Sequence, residues 1–124
     1  MLKNEKGFTL IEIIAVLVIL GILAAVAVPR YISMMEQSRI SAAQSAIAEV
    51  KAQASNYYAI KMLAGNGTTT NAAVQASVTS APYLGADYSV TTATAASGIL
   101  ITVNSVKGTD LAPAQTGTWY YPGL

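Results

Sequence analysis

Apolar residues are distributed unevenly along this chain. From Phe8 to Val28 only Thr9 and Glu12 are polar. At about 1.5 Å per residue such a run predicts a helix of roughly 30 Å, the thickness of one bilayer core. Past Pro29 the pattern becomes periodic. Ile40, Ala43, Ile47, Val50, Ala54 and Tyr57 recur three and four residues apart, with Arg39, Gln44, Glu49, Lys51, Gln53 and Lys61 mostly between them. That spacing predicts an amphipathic helix over 30–63 with one face in need of a partner. Pro29 removes one backbone donor and crowds the preceding turn, so it bends or opens the helix, and Gly21 is a second soft point. Membrane helices tolerate such interruptions. A continuous helix from about Thr9 to Leu63 is roughly 80 Å long, far more than the core of so small a domain needs, so half of it serves something else.

Gly65-Asn66-Gly67 ends the helix with residue types that favour left-handed caps. Thr68 to Pro82 is a polar connector rich in Thr and Ala, whose path the pattern does not specify. Three strand-like runs follow: Asp87 to Ala95, Ile99 to Val106 and Thr116 to Tyr121. Ala96-Ser97-Gly98 predicts a hairpin turn between the first two, and Lys107 to Gly117, with Pro113, links the third. Ile99, Ile101 and Val103 alternate with Leu100, Thr102 and Asn104. The expected fold class is α+β: a long N-terminal helix whose second half packs, through Ile47, Val50, Ala54 and Tyr57, on a small antiparallel sheet.

Composition narrows the function. The 124 residues are 53% hydrophobic with a net charge of +1 and a mean hydropathy of +0.47, the apolar excess lying in the first 28 positions. Removing residues 1–7, with Lys3, Lys6 and Glu5, leaves five residues of each sign. A broad basic patch is absent, so nucleic acid is not an expected partner. There is no Cys and no His, which excludes disulfides, thiolate chemistry and the commonest general base. The remaining carboxylates show no pairing in sequence, so no enzyme, cofactor or metal centre is expected.

Lys3 and Lys6 precede the apolar run, which by the positive-inside rule places the chain start in the cytoplasm and residues from Arg30 onward outside. Two readings compete. Ala25-Val26-Ala27 is a small-x-small site at which a signal peptide could be cut to release a soluble periplasmic domain. Alternatively the run is a retained membrane helix; Glu12 is a poor signal-peptide residue, and the helical pattern continues past the cut. An acid at mid-membrane costs about 2.5 to 3.5 kcal/mol, and less near an interface. Glu12 is therefore protonated, near the surface, or paired with a cation.

The stretch Gly7-Phe8-Thr9-Leu10-Ile11-Glu12 resembles the start of a type IV prepilin of the short-leader class, or of a closely related pseudopilin of type II secretion. The resemblance includes the Gly21 and Pro29 punctuation and the long amphipathic helix before a small sheet. It is motif-level to about residue 31, architectural from there to 63, and absent beyond. It implies a single-pass precursor in the bacterial inner membrane, cut between Gly7 and Phe8 by a prepilin peptidase that also N-methylates Phe8. The implied parts are a leader (1–7), a transmembrane and filament-core helix (8–29), an amphipathic helix (30–64), and a connector with a small sheet (65–124). Cleavage creates an amine at Phe8, four residues from Glu12, and in such filaments that acid meets the Phe8 amine of a neighbouring subunit; pairing with its own terminus is the alternative. Gly21 and Pro29 would let the helix loosen in the filament. The implied partners are identical or related subunits in a helical polymer, the peptidase, an inner-membrane assembly platform, and lipid before assembly. The implied function is a structural subunit of an extracellular pilus serving adhesion, motility or surface attachment; the alternatives are a secretion pseudopilin and a soluble periplasmic domain.

The chain departs from the wider family in two respects. Many pilins close their C-terminal region with a disulfide, and this chain has no Cys. Major pseudopilins often carry a C-terminal calcium loop, whereas Asp87 and Asp110 are the only acids after Glu49, short of the oxygen-rich cluster calcium needs. Trp119 and the tyrosines at 31, 57, 58, 83, 88, 120 and 121 are read mainly as packing groups, with Tyr31 placed for an interfacial belt.

Overall fold

A computed structural model describes residues 7–65, 68–80 and 84–122. The expectations placed on Lys3, Lys6, Asn66, Gly67, Pro82 and Tyr83 lie outside those residues. The elements are α1 (Leu10–Ala64), α2 (Asn71–Ser80), β1 (Tyr88–Ala95), β2 (Gly98–Val106) and β3 (Thr109–Tyr120). The three strands form one antiparallel sheet in the order β1-β2-β3. The architecture is α+β, a long N-terminal helix with a small antiparallel sheet, as the sequence predicts. The chain divides into two compact units, the first ending at Glu36 and the second running from Gln37 to the C-terminus.

In the first unit the described residues are exposed throughout. α1 contains a window long and apolar enough to cross a membrane, and none of that window is buried. The helix runs through Gly21 and Pro29 without a break. Because Pro29 has no N–H, the carbonyl of Ala25 loses its helical donor there.

In the second unit α1 buries one face: Ala43, Ala46, Ile47, Val50 and Ala54. These follow the three-and-four spacing read from the sequence. They share a core with Ile99, Ile101 and Val103 of β2, all at 0% exposure, and with Trp119 of β3. β2 is the central strand, which is why its alternation was the clearest strand signal. The approach of helix to sheet is close at Gly117, where a Cβ would stand 2.4 Å from Cγ2 of Ile47 and 3.2 Å from Cε of Lys51. Only glycine leaves room for that approach.

Two expectations need correction. The polar connector contains a helix, α2. Thr70 caps it, its Oγ1 accepting from the N–H of Ala73 at 3.2 Å, and Val74 and Val78 turn inward to the core. Asn71 Nδ2 donates to the carbonyls of Ala95 (3.2 Å) and Gly98 (2.7 Å), tying the helix start to the β1–β2 turn. Gln75 Nε2 donates to Thr92 O at 3.0 Å, and Val74 and Val78 share one core with Ile99, Ile101 and Val103, so α2 covers the same face of the sheet as α1. The second correction concerns β3, which begins at Thr109 rather than Thr116. Lys107 (φ 51°) and Gly108 (φ 73°) make a two-residue hairpin turn, the mirror-type geometry that matches strand twist. Pro113 sits inside β3, after a cis bond from Ala112. It is tolerated because β3 is an edge strand and the β2–β3 register breaks between Val103 and Ser105.

The aromatic residues divide as packing groups and exposed ones. Tyr58, Trp119 and Tyr121 form an edge-to-face cluster with centroids 5.3 to 6.1 Å apart. Trp119 Nε1 donates to Ser55 Oγ at 2.8 Å, and the Tyr121 hydroxyl donates to the carbonyl of Thr69. With no disulfide in the chain, this cluster and its two hydrogen bonds fasten the C-terminal strand to α1 and to the α1–α2 connection. Tyr31 and Tyr120 are exposed.

Candidate functional site

The residues singled out at the start of the chain gather at the first turn of α1. Gly7 and Phe8 precede the helix and are exposed, Phe8 to 85%. Thr9 is the N-cap. The N–H of Glu12 donates to Thr9 Oγ1 at 3.3 Å, and the N–H of Thr9 donates to Glu12 Oε2 at 2.8 Å. This reciprocal pair is a capping box, which satisfies two backbone donors that a helix start otherwise leaves open. The negative side chain also sits at the positive end of the helix dipole.

The carboxylate thus already has a partner within its own chain, which the sequence reading did not foresee. The signal was present: Thr9-x-x-Glu12 directly before an apolar run is the capping-box pattern. A carboxylate accepts more than one hydrogen bond, so engagement of Oε2 leaves capacity for a second donor. Phe8, Glu12, Ile13, Ala15 and Val16 line an open groove of apolar surface beside that carboxylate. The arrangement holds an acid at a fixed place on an otherwise apolar helix, next to the residue whose N–H becomes an amine if the chain is cut after Gly7.

The other predicted site residues lie apart from this turn. Gly21 is inside α1, with nothing within 4 Å of where a Cβ would be. Pro29 is also within α1, as is Ala25-Val26-Ala27, the alternative cleavage site. Asp87 and Asp110 are exposed; the Asp87 carbonyl accepts from the N–H of Lys107 at 2.6 Å, and Asp110 pairs with Ser105. Among the described residues no group of three acids, His or Cys is placed to hold a metal ion.

The family described as the prokaryotic N-terminal methylation motif matches residues 2–28. A type II secretion system core protein G of Pseudomonas aeruginosa is 44% identical over 55 residues, which is 44% of this chain and 39% of that protein. A fimbrial protein of Eikenella corrodens is 45% identical over 62 residues, 49% of this chain and 40% of its own length. A type IV narrow pilus major component of Thermus thermophilus is 39% identical over 67 residues, 54% of each chain. The chain therefore spans about half or less of the curated relatives it matches. No solved structure matches it. This chain carries the prokaryotic N-terminal methylation motif at its start, and its relatives are type IV pilins and a type II secretion core protein.

Proposed function

We propose that this chain is the structural subunit of a type IV pilus-like filament. It is made as a single-pass precursor in the bacterial inner membrane, with its start in the cytoplasm. A prepilin peptidase cuts it after Gly7 and methylates the new amine of Phe8, and an inner-membrane platform draws it into the fibre. The role is mechanical rather than catalytic: the apolar part of α1 bundles with that of identical or related subunits, exchanging lipid contacts for helix packing, and the sheet unit forms the outer surface. The observation that carries this reading is the placement of Glu12. It is the one acid in the exposed apolar stretch from Phe8 to Val28, it is held in the first turn by Thr9, and it stands four residues from the amine that cleavage would create.

In the assembled fibre the Phe8 amine of a neighbouring subunit becomes the second partner of the Glu12 carboxylate, so the charge penalty in the membrane biases the chain toward assembly. The test has two stages. Intact mass and N-terminal fragmentation of protein sheared from the cell surface should give a chain beginning at methylated Phe8; a chain beginning at Val28 would return the apolar run to a signal peptide. Glu12→Ala should insert into the membrane normally and lose most surface filament. Normal filament from that variant would refute the role given to the acid.

The 44% identity to a type II secretion core protein supports a second reading, a pseudopilin forming a short periplasmic fibre. Loss of protein secretion in a deletion strain, without surface filaments at native expression, would favour it over the pilus.

A further inference from the structure

Charge is sparse on α1, and its placement outside the first turn is informative. Between Ile13 and Met35 the only charged residue is Arg30, and the next charge along the helix is Glu36. Both are exposed in the first unit. They stand six residues apart, about 9 Å along the axis and about 120° around it. That separation prevents the two from meeting within one helix, since pairs on a helix surface form at three and four residues.

We propose that Arg30 of one copy pairs with Glu36 of a neighbouring copy and sets the stagger between subunits. This rests on the filament reading above. If the Phe8 amine of a parallel copy lies level with Glu12, that copy is displaced outward by about four residues, or 6 Å. The same displacement carries its Arg30 to within about 3 Å of the level of Glu36, a difference the long Arg and Glu side chains absorb. In both pairs the cation precedes the anion, so a single direction of displacement serves both. Copies displaced inward would instead carry Arg30 away from Glu36. The 120° between the two side chains suits a head-to-tail array, in which each subunit offers one side to the copy before it and another to the copy after it. Both residues adjoin an apolar stretch, so on assembly they leave water and lipid headgroups for a less polar setting, where an unmatched charge is penalised. Arg39, three residues beyond Glu36, is the competing cation in sequence.

The natural absence of Cys makes a direct test available in the full chain. Arg30→Cys with Glu36→Cys in one chain, oxidised in cells, should yield a ladder of disulfide-linked multimers in sheared filaments. A disulfide needs Cα atoms within about 7 Å, so the two positions of one helix cannot close on each other. Each single-Cys chain should stop at dimer or remain monomeric. In parallel, Arg30→Glu and Glu36→Arg should each reduce filament yield about tenfold or more. The double reversal should restore yield to within about twofold of the natural chain, while Arg39→Gln leaves it unchanged. Single variants with normal yield, or a double reversal that does not restore it, would overturn the pairing while leaving the pilus reading in place. If the unaltered chain forms no filament, both fall together.

Discussion

Residues Leu10–Glu36 and Gln37–Ala64 belong to one helix by backbone hydrogen bonding, yet they solve opposite problems. The second stretch buries a stripe of Ala43, Ala46, Ile47, Val50 and Ala54 and leaves its other faces mostly polar or small, Ile60 and Leu63 near its end excepted. The first is apolar on every side from Ile13 to Val28, and none of its residues is buried. An amphipathic pattern states that a partner lies on one side, whereas a uniformly apolar one states that the solvent itself is apolar. The second stretch finds its partner within the chain. The first has none within its own unit, and on the filament reading it finds one in lipid or in other copies. Stability of the sheet unit and competence to assemble should therefore respond to different residues, and each of the following substitutions probes that separation.

The largest effect is expected at Ile101. It is fully buried at the centre of β2, between β1 and β3. Ile101→Ala withdraws bulk from the core it shares with buried residues of both helices and leaves a cavity, a change that costs about 2 to 5 kcal/mol. Chemical denaturation of the full chain in detergent, followed by Trp119 fluorescence, should show a midpoint lowered accordingly. Retention of the natural midpoint would mean that the core described for the second unit is not what holds it together.

Gly117→Ala tests the same unit from the other direction, by adding one methyl group. The new Cβ would stand 2.4 Å from Cγ2 of Ile47, so either Ile47 changes rotamer or the sheet moves away from α1. Overpacking of this kind costs about 1 to 3 kcal/mol. Combining it with Ile47→Leu, which removes the β-branched Cγ2 methyl from the contact, should recover part of the loss; failure to recover any would place the strain elsewhere. Both measurements use the monomer and need no filament.

The sequence disclosed these two stretches unequally. The long helix, the amphipathic face and the β2 alternation were legible because each is a repeated signal: many residues report one period. The α2 helix was not, because its residues are Ala, Ser, Thr, Gln and Val with weak preferences, and its position depends on distant contacts such as Asn71 with Ala95 and Gly98. Pro113 misdirected the reading of β3, since an edge strand with a register break accepts a proline that a central strand would reject. At the candidate site the identity of Glu12 stood out as an acid among apolar residues, while its bond to Thr9 depended on reading two residues three apart as a unit. The triad of Tyr58, Trp119 and Tyr121 joins residues more than sixty positions apart, and no local pattern announces it.

The smallest effect on the folded unit, and the one that best separates the two halves, is expected at Leu23. Its side chain is 60% exposed in the first unit, so Leu23→Ala removes about the same apolar bulk as Ile101→Ala without opening a cavity in the chain. In detergent-solubilised monomer the unfolding midpoint of the sheet unit should be unchanged to within about 0.5 kcal/mol, the usual range for surface substitutions. If the first unit packs against other copies in a filament, the same substitution should instead reduce the yield of sheared filament. Its effect would then appear only where those copies are present. A monomer destabilised by Leu23→Ala as strongly as by Ile101→Ala would show that the two stretches share one core, and the division of labour along α1 would not hold.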